Sequence, residues 1–291
     1  MKTLMIVDGY MYVYTSLYSR IGHELTAPSG EVTTATFVFT KIILKLLKNY
    51  QPDMLCVAMD SRERTFRKDL YPEYKANRSY ELPQHFAEQL TRITEILTLM
   101  NIPVFYVPGF EADDIIGTVA EKAYQQGDIF TSICSRDKDM IQLINDRTDI
   151  VHINKGLRFD AKRIVEKWGI SPSQFIDFLA FQGDSADNVP GVHGVGPKIA
   201  VELLKEWDTS EEIYKYLDII GGKLSEKLEK GKDMFDLCKK LVTIKKDVPM
   251  DIDFEALKVS EYDNLKLDKL FDELGFVSLC HPRTKSGRPL F

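Results

Sequence analysis

The residues in this chain best suited to chemistry are acids that recur in short clusters. The stretch 109–117, GFEADDIIG, places Glu111, Asp113 and Asp114 within four positions. Asp8 closes the apolar run TLMIVD, Asp60 closes MLCVAMD, Asp137 and Asp139 follow IFTSIC in SRDKD, and Asp184 and Asp187 stand three apart in GDSADN. A single Asp at a strand end serves as a turn or cap residue. An acid at a helix start gains only a few tenths to about 1 kcal/mol from the helix dipole. Those roles ask for one acid per site, whereas here nine occupy five places. Gathered without a counter-charge, they would raise one another's pKa and oppose folding. A hard divalent cation relieves that repulsion, because Mg2+ and Mn2+ prefer carboxylate and water oxygens. The set exceeds what one Mg2+ uses and points to two or more ions, an arrangement that suits phosphoryl transfer.

The acids can meet only if the runs that carry them are neighbours in space. Residues 3–8, 54–60, 103–107 and 129–134 read as buried parallel strands, alternating with helical stretches at 32–50, 83–100 and 112–126. That rhythm predicts an α/β fold: a mainly parallel twisted sheet with helices on both faces, closed by a hairpin or edge strand over 149–160. In such a sheet the carboxyl ends of the strands line one crevice where ligands bind, so acids from four separate segments would converge. Beyond about residue 160 helices follow one another, at 160–168, 172–182, 197–207, 209–219, 222–230 and 231–244. The expected organisation is a core over 1–160 and a helical region over 161–291 packed against it.

Two further stretches call for an explanation. Residues 61–82 form a polar insertion in which Arg67, Lys68, Lys75 and Arg78 alternate with Phe66, Tyr71 and Tyr74. Insertions this long in an α/β unit are usually functional or mobile. Cations among aromatics suit phosphate contact and base stacking; a solvated surface helix is the other reading, and on a helix Lys75 and Arg78 would share a face. In NVPGVHGVGPKIA (188–200), Gly191, Gly194 and Gly196 precede Pro197 and Lys198 at a helix start. The spacing fails a phosphate-binding loop of the G-x-x-x-x-G-K-[ST] type. A glycine turn between two helices that offers backbone N–H groups to a phosphate fits better, beside a plain helix–helix turn.

Composition bounds the partners. The chain has 291 residues, 44% hydrophobic and 28% charged, with a formal net charge of −6. That charge alone argues against nucleic acid, but setting the nine clustered acids aside leaves the remainder at +3. No apolar run approaches the roughly 20 residues of a membrane span, and the N-terminus MKTLMIVDGY lacks the features of a signal peptide. Cys56, Cys134, Cys238 and Cys280 are widely spaced, as expected of free thiols in a cytoplasmic protein. Neither they nor the histidines have zinc-ligand spacing. Tyr10 stands where a dehalogenase-type phosphatase needs a second Asp.

In chain order, IVDGY, the Asp60 segment, TFRKDLYPEYKANR, GFEADDIIGTVA, RDKDMIQLI and FQGDSADNVPGVHGVGPKIAVELL resemble the bacterial and phage 5′→3′ exonucleases and flap endonucleases over about residues 5–204. This family includes the N-terminal nuclease domain of DNA polymerase I. The resemblance implies a PIN-like 5′-nuclease fold in which all nine acids match the family's metal site. Asp8, Asp60, Glu111, Asp113 and Asp114 would hold the tighter Mg2+; Asp137, Asp139, Asp184 and Asp187 would hold a second, with Mn2+ an acceptable substitute. Lys75 and Arg78 match catalytic basic residues of a helical arch, here about 61–90, where Arg67, Lys68 and Tyr74 would also meet DNA. Residues 185–205 match a helix-hairpin-helix element that grips duplex DNA through Gly191, Gly194, Gly196 and Lys198, often with K+ on its carbonyls. The expected activity is Mg2+-dependent 5′-exonuclease or 5′-flap endonuclease action in replication and repair, on DNA or an RNA primer in a hybrid, leaving 5′-phosphates. A PIN-type ribonuclease and a non-catalytic junction-binding protein are the alternatives. A stand-alone monomer is expected. The final RPLF offers a Leu-Phe pair of the kind a sliding clamp accepts, beside packing on its own domain, and a polymerase is the other candidate protein partner. Two positions depart from the family pattern. Thr15 stands where an Arg is usual, with Arg20 a candidate substitute, and Arg136 interrupts the usual T-G-D.

Overall fold

The computed structural model describes residues 1–19, 24–61, 63–78 and 84–280. Among these residues six strands form one sheet: β1 (Lys2–Asp8), β2 (Met54–Ala58), β3 (Val104–Phe105), β4 (Ile129–Cys134), β5 (Thr148–His152) and β6 (Leu157–Phe159). Their order is β3-β2-β1-β4-β5-β6, parallel throughout except for β6, which turns back antiparallel to β5. The central strands are apolar on both faces because both faces are covered. Met5, Val7, Leu55 and Val57 point into one core, whereas Leu4, Ile6, Met54, Cys56 and Ala58 point into the other.

Five helices accompany the strands: α1 (Gly9–Leu17), α2 (Thr34–Tyr50), α3 (Phe66–Leu70), α4 (Phe86–Leu99) and α5 (Ala112–Gln126). Buried residues of α1, α2 and α4 share the first core, while α5 faces the second. The second core continues into a helical region of α6 (Ala161–Trp168), α7 (Phe175–Gln182), α8 (Pro197–Trp207), α9 (Ser210–Lys215), α10 (Leu217–Ile220), α11 (Gly222–Lys230) and α12 (Lys232–Val242). Phe175, Phe178 and Phe181 of α7 and Phe235 of α12 bind this region to the sheet by burying large aromatic surface. Among the described residues no helix is long and apolar enough to cross a membrane.

The structure contains two helices that the sequence reading missed. α1, with the sequence GYMYVYTSL, is rich in aromatic and β-branched residues that favour strands. It forms because Asp8 caps it, accepting from Met11 N at 3.2 Å, and because Gly9 leaves no side chain to strike Val57 and Met59. α13 (Asn264–Glu273) carries Leu267, Leu270 and Phe271 back to the first core, away from the other C-terminal helices. The basic insertion also differs from expectation. Among its described residues only α3 is helical, and 72–77 is a run of turns, so Lys75 and Arg78 do not share a helix face. Residues 79–83, Arg20 and the C-terminal RPLF lie outside the described residues.

Candidate active site

β1 sits at the switch point of the sheet, with β2 and β3 laid down on one side and β4 and β5 on the other. Crevices open at the carboxyl ends of strands that flank such a point. Asp8 lies there. Its carboxylate accepts from Ser135 Oγ at 2.7 Å, and Ser135 Oγ in turn accepts from Asp137 N at 3.0 Å. Burial, with help from Asp60 and Asp137, outweighs those hydrogen bonds and lifts the Asp8 pKa to about 7. Asp60 accepts from Ala112 N at 2.9 Å and is likewise raised, chiefly by burial. Asp113, in the first turn of α5, accepts no protein hydrogen bond among the described residues. Burial first, then Asp137, Asp8 and Asp60, push it well above the usual carboxylate range. Asp139 reaches about 8 through burial and the charges of Asp137 and Asp184, and its Oδ1 is buried with no hydrogen-bond partner among the described residues. These carboxylates are close enough to hinder one another's ionisation, which is the arrangement a cation would relieve.

Among the described residues, Lys75, Arg78 and Lys138 pair with the acids. Lys75 Nζ donates to Glu111 Oε2 at 2.6 Å and lies 3.5 Å from Asp187. Arg78 pairs with Asp187, and Lys138 Nζ donates to Asp184 Oδ2 at 2.8 Å. Burial of Glu111 works against its charge, but Lys75 and Arg67 prevail and hold it below the ordinary value. Lys75 has a left-handed backbone, φ 54°, which costs an L-residue roughly 1–2 kcal/mol and persists only when its surroundings impose it. The surroundings here are explicit. Lys75 N donates to Asp187 O at 2.8 Å, Asn77 Nδ2 to Ser185 O at 2.6 Å, and Asn188 Nδ2 to Glu73 O at 2.7 Å. The turn that carries Lys75 and Arg78 is thereby laced to the turn that carries Asp184 and Asp187. Asn77, Asn188, Ser135 and Lys138 were not singled out from sequence, although each lies inside a motif read for its neighbours.

The structure draws Asp8, Asp60, Glu111, Asp113, Asp137, Asp139, Asp184 and Asp187 around this crevice and places other expected site residues elsewhere. Asp114 is fully buried and faces away, where Arg67 Nη1 and Nη2 donate to its two oxygens at 2.7 and 2.8 Å and Lys245 N adds a bond at 2.8 Å. Arg67, only 3% exposed, also donates to Leu241 O and Thr243 O. These two residues join α3, α5 and the end of α12, so Arg67 is not a DNA contact and Asp114 is not placed to hold an ion. Tyr74 is buried too, its hydroxyl 3.2 Å from Glu111 Oε2 and 3.1 Å from Asp187 Oδ2. It orients acids and has no ring face free for a base. Lys68 stays partly exposed on α3.

The glycine turn joins α7 to α8 directly beside the acids. Asp184 and Val189 exchange backbone hydrogen bonds at 2.8 Å in both directions. Gly183 and Gly191 both have positive φ and face each other so closely that a Cβ on Gly191 would meet Gly183 N at 2.5 Å. Gly194, Pro197 and Lys198 are exposed, and Gly196 caps α8 with open space around it. The two departures from the family pattern meet in space, since Arg136 Nη2 donates to Thr15 Oγ1 at 2.6 Å. Tyr14 on α1 and Tyr18 at its C-terminal cap have ring centroids 5.2 Å apart, tilted by 53°, and are 40% and 64% exposed.

Among the described residues no three acidic, histidine or cysteine side chains are arranged to hold one ion as they stand. The donor set nonetheless fits a hard cation: all the clustered ligands are carboxylates, Asp139 Oδ1 has no partner among the described residues, and burial opposes charge on four of them. Glu111, Asp184 and Asp187 are engaged by Lys75, Lys138 and Arg78, so ligation by them requires those cations to move. Without an ion, Asp8 and Asp139 hold protons in the folded state that the unfolded chain has already released between the ordinary value of 3.8 and about 7–8. Stability therefore falls as pH rises through that window. Millimolar Ca2+ is expected to raise the Tm by roughly 5 °C at pH 8 and by far less at pH 5. Equal shifts at the two pH values would contradict this account of the acids.

Comparison with known proteins identifies the fold and the family. The family model described as "5'-3' exonuclease, N-terminal resolvase-like domain" matches residues 3–169, and "5'-3' exonuclease, C-terminal SAM fold" matches 170–265. DNA polymerase I of Chloroflexus aurantiacus is 35% identical over 280 residues, covering 94% of this chain and 29% of that protein. DNA polymerase I of Caldicellulosiruptor bescii is 38% identical over 284 residues, covering 95% and 33%. The chain thus spans about a third of the length of the curated relatives it matches. Among solved structures, the bacteriophage T5 flap endonuclease, in a pseudo-enzyme–product complex with DNA and metal ions, superposes with a TM-score of 0.69 at 24% identity, covering 83% of this chain and 89% of that one. With family models matched across 3–265 and an acid crevice at the sheet's switch point, the chain belongs to the 5'-3' exonuclease family of nucleases.

Proposed function

We propose that this chain hydrolyses DNA phosphodiester bonds at or near a 5′ end, as a 5′-exonuclease and 5′-flap endonuclease that releases 5′-phosphorylated products. The observation that carries the reading is that Lys75 and Arg78 pair with Glu111 and Asp187 of the carboxylate cluster, and that the Asp184–Asp187 turn to which they are laced runs directly into the glycine turn. A ribonuclease of related core would share the acids without needing the turn. The site's residues would hold two Mg2+ ions, Asp8, Asp60, Glu111 and Asp113 serving one and Asp137, Asp139, Asp184 and Asp187 the other. Bound there, Mg2+ would supply Lewis acidity towards the phosphodiester and make water a better nucleophile at neutral pH. Lys75, held at the acids by the lacing of its turn, would stabilise charge on the phosphoryl oxygens together with Arg78. Backbone N–H groups at Gly194–Lys198 would bind the duplex phosphates, with K+ on the turn's carbonyls. Removal of flaps or primers in the cytoplasm, by a monomer, is the role this activity would serve.

A time course on 5′-labelled flap, nicked and blunt duplexes with and without Mg2+ tests the reading. Metal-dependent cutting near the flap junction is expected; no cleavage of any of the three would refute it. Lys75→Ala is expected to slow single-turnover cleavage by ~10²-fold, the scale for losing one charge-stabilising group, with substrate affinity nearly unchanged. A variant that cleaves at the native rate would remove Lys75 from the chemistry.

A further inference from the structure

Arg136 lies in the turn after β4, between two residues committed to the acid cluster. Ser135 before it bonds to Asp8, and Asp137 after it is itself one of the acids. The Arg136 side chain joins neither. Its Nη2 donates to Thr15 Oγ1 at 2.6 Å, and the Thr15 hydroxyl donates to Met11 O at 2.7 Å within α1. Lys75, Arg78 and Lys138 are each paired with a carboxylate. Arg136 is the exposed cation of the crevice that, among the described residues, has no carboxylate within ion-pair distance. In a cluster this rich in acid, a guanidinium fastened to a hydroxyl is held away from the anions nearest to it in sequence.

A guanidinium carries five N–H groups in a rigid fork that matches phosphate oxygens, and a neutral anchor on one nitrogen leaves the others free to donate. Tyr14, which neighbours Thr15 on α1, is close enough to Arg78 to feel its charge. The exposed side of α1 therefore joins Arg78, beside the acids, to Arg136 at the mouth of β4. A strand whose reacting phosphate lay among the acids would run its adjoining backbone past this guanidinium.

We propose that Arg136, oriented by Thr15, binds a backbone phosphate of the cleaved strand next to the phosphate that reacts. The inference rests on the proposed nuclease function. Binding of a 5′-flap duplex to the full chain in Ca2+, followed by fluorescence anisotropy over a range of KCl concentrations, tests it. R136A is expected to weaken binding about tenfold near 0.1 M salt and to flatten log Kd against log salt by about 0.7–0.9, the loss of one phosphate contact. R136K should keep the slope while losing part of the affinity, because it retains the charge without the fork. The double variant T15R/R136G should regain most of what R136G loses, since the two side chains meet at 2.6 Å and a guanidinium on position 15 reaches the same place. A structural role alone would not change the salt slope or allow that rescue. Native affinity and slope in R136A, with unchanged thermal melting, would overturn the proposal while leaving a cleaving wild type intact. Failure of the wild type to cut any flap substrate would refute the nuclease reading instead.

Discussion

Asp113→Asn is expected to reduce Mg2+-dependent flap cleavage by on the order of 10³-fold or more, to leave DNA binding within about threefold, and to raise the Tm of the metal-free protein. The gain in stability is the diagnostic part. Asp113 accepts no protein hydrogen bond among the described residues, and its charge is opposed by burial and then by Asp137, Asp8 and Asp60. A neutral amide of the same shape removes that repulsion and disturbs no structural contact. Sites that hold charge for function trade stability against activity in this way. An acid serving the fold would behave in the opposite sense, losing stability with activity untouched. Single-turnover cleavage and thermal melting of one preparation distinguish the two. A destabilised but fully active variant would remove Asp113 from the site.

Arg67→Ala is expected to destabilise the protein by about 3–5 kcal/mol, the range for breaking a buried pair and leaving its partner charged and unpaired. Asp114 would keep the Lys245 N–H but lose both guanidinium bonds, and the carbonyls of Leu241 and Thr243 would lose a donor. Arg67→Met combined with Asp114→Leu should recover part of the loss, because a hydrophobic pair of similar volume carries no desolvation penalty. Urea midpoints at constant m-value report the difference. An Arg67→Ala protein with native stability and weakened DNA binding would restore the role that its place in a basic stretch suggested.

Those two residues show where sequence reading succeeds and where it stops. Strands β1, β2 and β4 were legible because a strand covered on both faces must be an unbroken apolar run, and the acids after them were legible because a parallel sheet brings its carboxyl ends together. The helix α13 had a readable spacing in Leu267, Leu270 and Phe271, yet nothing in that spacing says which core it joins. α1 was hidden by its strand-favouring residues, since its start depends on Asp8 and on the closeness of Gly9 to Val57.

Within TFRKDLYPEYKANR, Arg67 and Arg78 are the same residue type eleven positions apart, one in the core and one at the acids. Arg67 reaches Asp114 across 47 positions and Leu241 across 174, and Arg78 reaches Asp187 across 109. The inventory of acids, their placement after strands and the α/β order of the core are properties of local pattern and chain topology, and the linear code carries them. Which carboxylates share a crevice, which cation sits on each, and whether an arginine meets solvent or a buried Asp depend on contacts between distant segments. Burial gives those contacts their energy, and burial exists only after the chain has packed.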